Sequence, residues 1–421
     1  MAKSFFGKKI VRVVLVLMVC FVLLQFIRPS LDNPSVTGDL QAPPEVKSIL
    51  QRACYDCHSN ETKLAWFDKP APAYWLVAAH IKEGRALLNF SHWDSLNADQ
   101  RKGKLFESLN QMVFNEMPLS QYTTFHTDAR ISGEDVKVLR KYLASLAPPK
   151  LADSAVIRSA DDQYARWTTA ARAQEVKPEP NGLAYMADYS DWKAISSTDR
   201  WDNGTMRVIM GNPVAVKAIR EGHMNPWPDG TAFAKVAWKA LLKPSGEVTP
   251  GEFLQVEIML KDKDKYAATG GWGWGRWKGD QLKPYGKDAS FVTECTGCHR
   301  PMHDHDLVFT SPVNWRGHAG VGADTAALQA LDWKVITSRI DKSQGTMSVL
   351  YGNDLAVAAA RKGKDYPLNS VLTLVTWKQK EDDHWYGANV PDSLISVEKF
   401  TFGTDTARRD WITQKASVMP K

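Results

Sequence analysis

The sequence predicts an α+β multidomain chain: an N-terminal transmembrane helix, then a mainly α domain, then two mainly β domains. Three observations carry this. A basic-flanked apolar run opens the chain, helical spacing dominates residues 31–150, and a strand-rich second half repeats itself at a nearly constant offset. The 421 residues, 24% charged and 44% hydrophobic, fit a multidomain globular protein and exclude disorder or a disulfide scaffold as whole-chain answers. The net charge of +6 is concentrated at the start. Lys3, Lys8, Lys9, Arg12 and Arg28 fall within residues 1–28 without an acid, leaving +1 on the rest and no electrostatic footprint for nucleic acid.

Ile10–Ile27 (IVRVVLVLMVCFVLLQFI) is interrupted only by Arg12 and Gln25. Its length approaches the roughly 20 apolar residues of a span, and the basic stretch before it places the N-terminus in the cytoplasm and the body outside. The expectation is an uncleaved anchor in the bacterial inner membrane and a periplasmic body. A cleaved signal peptide is the rival, without an A-x-A-like site after Gln25 to support it. A lipoprotein is disfavoured by Val19 before Cys20.

In the next segment, Pro43-Pro44 opens a short helix running into Cys54, and Ala73–Leu88 and Ala98–Asn115 have helical spacing. Ser132–Asp135 reads as a capping-box start for an apolar stripe of Val136, Leu139, Tyr142, Leu143 and Leu146. Pro148-Pro149 closes the unit, and residues 151–180 read as a linker with a short helix at Asp161–Gln174. Beyond it, Met206–Met210, Ala232–Leu242 and Phe253–Lys261 read as strands, with one helix near Pro213–Glu221. In Thr269–Lys278 (TGGWGWGRWK), Trp272 and Trp274 share a face, and the intervening glycine signals close approach of another group.

Asp191–Gly222 aligns without gaps to Asp332–Gly363 at an offset of 141, with 16 of 32 positions identical. The match resumes at Trp238/Trp377 with an offset of 139 and at Val256/Val397 with 141. The resulting division is 1–30 anchor or signal, 31–150 helical domain, 151–180 linker, 181–320 first β domain and 321–421 second copy.

Four of the five cysteines form two identical devices, Cys54-Tyr55-Asp56-Cys57-His58 and Cys295-Thr296-Gly297-Cys298-His299. C-x-x-C-H is the signature of c-type haem attachment: two thiols add across the haem vinyl groups and the adjacent histidine ligates iron. Disulfides would suit an exported body but leave the histidines unexplained. A thioredoxin-like motif lacks its βαβ context, and a shared zinc site would require pairs 241 positions apart to meet. The second copy has no such motif, and Leu374 replaces Lys235 there, so it is expected to bind no haem and to act as a packing partner.

Residues 45–146 resemble a bacterial haem-binding domain family, through Cys54–Asn60, Trp66, Met117-Pro118 and His126. The resemblance makes His58 the proximal ligand. Met117, placed before Pro118 and after a helix, is the candidate second ligand, with His80, His92 and His126 as rivals. A His/Met pair raises the potential and suits electron transfer.

Residues 185–312 resemble cytochrome P-460, relatives of cytochrome c-prime-beta. The matching stretches include Asp191-Trp192-Lys193, Asp202–Thr205, Gly211-Asn212, Pro226–Gly230, Ala234-Lys235, Trp238, Val256-Glu257, Trp272–Trp277, Pro284–Gly286 and Glu294–His299. The resemblance implies a mainly β fold and oxidation of hydroxylamine, to nitric oxide or nitrous oxide, on a five-coordinate iron. It also implies a lysine cross-linked to the porphyrin and a distal carboxylate that relays protons. Carried over residue by residue, Cys295 and Cys298 attach the haem and His299 ligates it. Lys235 matches the cross-linking lysine, with Lys239 as fallback, and Glu257 is the candidate distal base. A water-poor pocket is expected to raise its pKa.

The implied cofactors are therefore two covalently attached haem c groups, the second a cross-linked one. The implied partners are a small nitrogenous substrate, a redox partner such as a soluble cytochrome c, and the inner membrane through residues 10–27. A second copy of the chain is an admissible homodimer partner. The rival function is a non-enzymatic cytochrome carrying electrons or binding nitric oxide.

Overall fold

A helix forms where the apolar run stands, α1 (Ala2–Leu24), in a computed structural model describing residues 2–147, 175–313, 333–362 and 364–403. It corrects the expected transmembrane span through residues 10–27, because no helix among the described residues is long and apolar enough to cross a membrane. Only twelve uninterrupted apolar residues separate Arg12 from Gln25. They make about 18 Å of helix at 1.5 Å per residue, against a hydrocarbon core of about 30 Å. Gln25 is held by Ala71, donating to its carbonyl (3.2 Å) and accepting from its amide (2.8 Å). Beyond it, Ile27 and Pro29 carbonyls accept from Trp75 Nε1 (2.5 Å) and Tyr74 OH (2.9 Å).

The chain divides into two compact units, Met1–Leu143 and Ala144–Lys421. The first is helical. In α2 (Pro44–Ala53), proline at the first turn costs no hydrogen bond, and Val46, Ile49, Leu50 and Ala53 bury one face. The one-turn α3 (Tyr55–His58) follows directly. Then come α4 (Ala73–Leu87) and α5 (Ala98–Val113), the latter started by reciprocal Asn97 and Gln100 caps, each 3.0 Å. The unit ends with α6 (Ser120–Phe125) and α7 (Gly133–Leu146). The capping box read at Ser132 is present: Ser132 Oγ accepts from Asp135 N (3.1 Å) and Asp135 Oδ2 from Ser132 N (2.8 Å). Of the stripe, Leu139 and Leu143 reach the core. The linker helix expected at Asp161–Gln174 lies outside the described residues.

The second unit contains two meanders. The first is β1 (Lys193–Arg200), β2 (Thr205–Gly211), α8 (Pro213–Glu221), β3 (Ala232–Leu242) and β4 (Glu247–Lys261). From β4 the sheet extends through β5 (Trp272–Lys278) to β6 (Lys283–Pro284), followed by α9 (Val292–His299). The second meander is β7 (Lys334–Asp341), β8 (Thr346–Gly352), α10 (Asp354–Arg361), β9 (Val371–Glu381) and β10 (Asn389–Thr401). The repeated Gly-Asn has a local reason. Asn212 and Asn353 accept from Ala215 N (2.9 Å) and Ala356 N (3.0 Å), capping α8 and α10.

The copies do not form two separate domains as the sequence suggested. β4 pairs with β7 through Val248 and Ile340, and β10 pairs with β1 through Asn389 and Asp199. These contacts are equivalent under the 141-residue offset and close eight strands into one barrel. The physical reason is that each four-stranded meander alone would leave two unpaired edges, which mutual pairing removes. Met206, Val208, Ala234, Val256 and Ile258 fill the interior with Met347, Val349, Val375 and Trp377 of the second copy. The outer face of the first copy carries a different cluster, including Ile209, Phe233, Trp272 and Trp274, with Met259 and Cys295 against it. The functional residues lie on this face.

Candidate functional site

In the helical unit, the chain turns sharply after α2, so that Cys54, Cys57 and His58 fall on α3 and at its start. Both thiols are outside any disulfide, and burial pushes them up, Cys54 to about 12 and Cys57 to about 11. His58 Nδ1 lies 3.0 Å from the Gly84 carbonyl and 3.1 Å from that of Leu88. A carbonyl can only accept, so Nδ1 bears the proton and Nε2 keeps the lone pair that a metal needs. Burial lowers the His58 pKa, which favours this neutral form. Asp56 is fixed by Tyr122 OH (2.7 Å) and Lys63 N (2.9 Å).

Gly84 brings α4 onto this turn: a Cβ there would stand 2.7 Å from the Cys57 carbonyl oxygen. Gly84→Ala gains helix propensity of about 1 kcal/mol, but overpacking costs about 1–3 kcal/mol. The contact is backbone and cannot rotate away. The variant is therefore expected to lower stability, measured by urea unfolding, and to reduce haem incorporation at this motif.

Met117 is half-buried in the turn after α5, its amide donating to the Gln111 carbonyl (3.1 Å). Two rival ligands are engaged elsewhere. His92 contacts Thr37 Oγ1 (2.9 Å) and Asn60 Nδ2 (3.2 Å), and His126 contacts the Tyr122 carbonyl (3.1 Å) and Asp68 Oδ2 (3.0 Å). His80 is half-buried on α4.

In the second unit, strand register assembles the site. Lys235 on β3 lies directly opposite Glu257 on β4, and Glu257 opposite Arg276 on β5. Lys235 Nζ forms an ion pair with Glu257 Oε2, and Arg276 Nε contacts Glu257 Oε1 at 3.0 Å. Lys239 is instead exposed and paired with Glu252, away from this cluster. The loop before β5 is drawn in close, since a Cβ on Gly273 would stand 2.4 Å from the Tyr266 ring. This is the close approach that the strand glycine signalled.

The helix α9 carries Cys295, Cys298 and His299. Glu294 anchors its first turn, accepting from Tyr285 OH (2.8 Å) and pairing with Arg276 (3.2 Å). His299 Nδ1 donates to the Leu307 carbonyl at 2.7 Å, which again leaves Nε2 with its lone pair. Its ring packs edge-on against Trp274 (4.6 Å) and Phe309 (4.9 Å). Burial lowers its pKa to about 4, so it is neutral at pH 7. Met302 is buried, whereas His303 and His305 are exposed.

The electrostatics reverse one expectation. Burial acts to raise the Glu257 pKa, but Lys235, Arg276 and Arg207 together outweigh it and hold the carboxyl well below its usual range. The expectation counted desolvation alone, whereas Arg276 and Arg207 are brought in by the neighbouring strands. Burial lowers the Lys235 pKa, partly offset by Glu257. Arg207, on β2, is lowered to about 9 by burial and the neighbouring Arg200. Sequence reading missed Arg207 and Arg276. For Arg276 a signal existed, since alternation along β5 puts it on the same face as Trp272 and Trp274.

The residues fit a haem. At the second motif two thiols and a neutral imidazole with a free Nε2 converge on one helix. Arg207 Nε and Trp274 Nε1 are buried without a protein partner. Lys235, Arg276 and Arg207 outnumber the carboxylates beside them, Glu257 and Glu294, so the cluster is net positive and suits a group that brings carboxylates of its own. Among the described residues no cluster of three or more histidine, cysteine or carboxylate side chains is placed to hold a metal ion.

A family model described as a haem-binding domain matches residues 19–145, and one described as cytochrome P-460 matches residues 186–310 and 331–411. The second match covers both copies of the repeat. No curated protein matches the chain.

Proposed function

This chain is a haem cytochrome that joins a haem-binding domain to two copies of the cytochrome P-460 domain, and from that premise we propose that it oxidises hydroxylamine. The reaction centre is the first copy, where Cys295 and Cys298 tether the haem and His299 ligates it. Cys54, Cys57 and His58, together with Met117, would hold a second haem, which would supply a one-electron relay to a soluble acceptor. The body acts in the periplasm, where c-type haem is attached.

The observation that carries this reading is the cross-strand row Lys235–Glu257–Arg276 beside α9. When bound, the haem supplies an iron that takes the substrate nitrogen and accepts its electrons. The protein supplies the rest. Burial favours the neutral Lys235 amine, the form needed for a C–N bond to the ring, in which a lysine N–H and a ring C–H would be lost and two electrons would pass to an external oxidant such as peroxide. A lysine nitrogen so bonded would no longer carry the ammonium charge, and Glu257 would lose one of the cations that depress its pKa. Its carboxylate then becomes a better proton acceptor, while Arg276 keeps it oriented at 3.0 Å.

An ion pair between Lys235 and Glu257 also suits the rival reading, a carrier or nitric-oxide-binding cytochrome in which the lysine stays an ammonium. The two are separated by matured protein given hydroxylamine and an oxidant. Formation of nitrogen oxides together with the red-shifted ferrous absorption band that names the family supports the enzyme. Absence of both supports the carrier.

A further inference from the structure

The repeat departs from constant spacing in an informative way. Its offset is 139 at Trp238/Trp377 and 141 at Val256/Val397, so the second copy carries two extra residues between these points. They enlarge the turn between β9 and β10, residues 382–388, which includes His384, Trp385 and Tyr386. The equivalent turn of the first copy, Lys243–Gly246, is shorter and has no aromatic residue.

The enlarged turn lies against the first copy. The Gly387 carbonyl accepts from Asp202 N (3.1 Å), and Trp385 Nε1 donates to Asp202 Oδ2 (3.0 Å). The Arg200 guanidinium sits 4.3 Å over the Trp385 ring. His384 Nδ1 donates to the Phe309 carbonyl at 2.8 Å, and Trp385 meets the Phe309 ring edge-on at 5.9 Å. Phe309 in turn packs edge-on against His299 at 4.9 Å. Two residues earlier, Leu307 supplies the carbonyl that holds His299 Nδ1.

This segment is strained and needs holding. Asp306 and Leu307 have φ of 51° and 63°, in the left-handed region that side chains with a Cβ rarely adopt. One end is fixed by the first copy, through Lys261 Nζ to Asp306 Oδ1 (2.6 Å) and Trp272 Nε1 to the Asp306 carbonyl (2.9 Å). The other end, Phe309, is held by His384 and Trp385.

We propose that His384 and Trp385 of the haem-less copy are positioning residues for His299, so that the second repeat completes the proximal wall of the first repeat's site. The proposal rests on His299 being the iron ligand. Groups that orient a ligating imidazole set its ring angle and basicity, and through them the metal.

The test uses matured full-length protein, comparing wild type, His384→Ala, His384→Asn and Trp385→Ala by resonance Raman of the ferrous form and by redox titration. Haem content of each variant checks folding. His384→Ala and Trp385→Ala are expected to lower and broaden the Fe–His stretch and to shift the midpoint potential of this haem. The potential of the haem on Cys54 and Cys57 should stay unchanged. His384→Asn, which keeps a donor for the Phe309 carbonyl, should restore the wild-type band even if His384→Ala fails to mature. A wild-type band and potential kept by the Ala variants would overturn the proposal, as would an Asn variant no better than Ala. A wild-type protein with no Fe–His band would overturn the assignment of His299 itself, and the proposal with it.

Discussion

Lys235→Leu is expected to leave the haem attached through Cys295 and Cys298 while removing the red-shifted ferrous band and hydroxylamine oxidation together. Leucine is chosen because the second copy carries Leu374 at this position, in the same register opposite Glu398 as Lys235 has opposite Glu257. A strand of this fold therefore accepts it. The substitution deletes the only part of the side chain able to bond the ring. It also removes a cation from Glu257, which keeps Arg276 as its partner. Absorption spectra, intact mass and turnover check the outcome. An unchanged band would show that Lys235 makes no bond to the porphyrin and would remove the main support for the enzyme reading.

Glu257→Gln should produce two large effects. The first is on rate: loss of a positioned proton acceptor lowers turnover by about 10²–10⁴-fold, with haem attachment and the absorption band retained. The second is on stability. The carboxylate compensates Arg276 and Arg207, the cations that remain once Lys235 is bonded to the ring, and removing one side of a buried charge cluster costs about 3–5 kcal/mol. The pH dependence gives an independent reading. A carboxyl whose folded pKa is depressed binds protons more readily in the unfolded chain. Its stabilising contribution is therefore full above the ordinary value of 4.5 and is lost as pH falls below it. Urea unfolding of the wild type should weaken across that acid range. The Gln variant should start weaker at pH 7 and lack this component of the slope.

Much of the local structure was legible because its causes are local. The capping box at Ser132 and the helix Pro213–Glu221 declare themselves through caps and periodicity. The repeated Gly-Asn marks a cap in both copies, and the two C-x-x-C-H devices fall one in each of the two family matches. What stayed hidden depends on partners distant in sequence. Nothing near Val248 or Asn389 announces that they close one barrel, since the joining contacts involve one or two residue pairs each. The sign of the Glu257 shift depends on Arg207 and Arg276, brought in by neighbouring strands. The N-terminal run misled for a different reason. Its composition is that of a membrane segment, but Arg12 and Gln25 leave too short an uninterrupted length, and Gln25 bonds Ala71 instead.

Intact mass of protein matured in a host competent for c-type cytochromes counts the haems bound to the chain. Two thioether-bound haems predict the chain mass plus two haem groups, with both lost in a variant in which Cys54, Cys57, Cys295 and Cys298 are all replaced by Ala. A mass with one haem or none, on fully matured protein, would contradict the account.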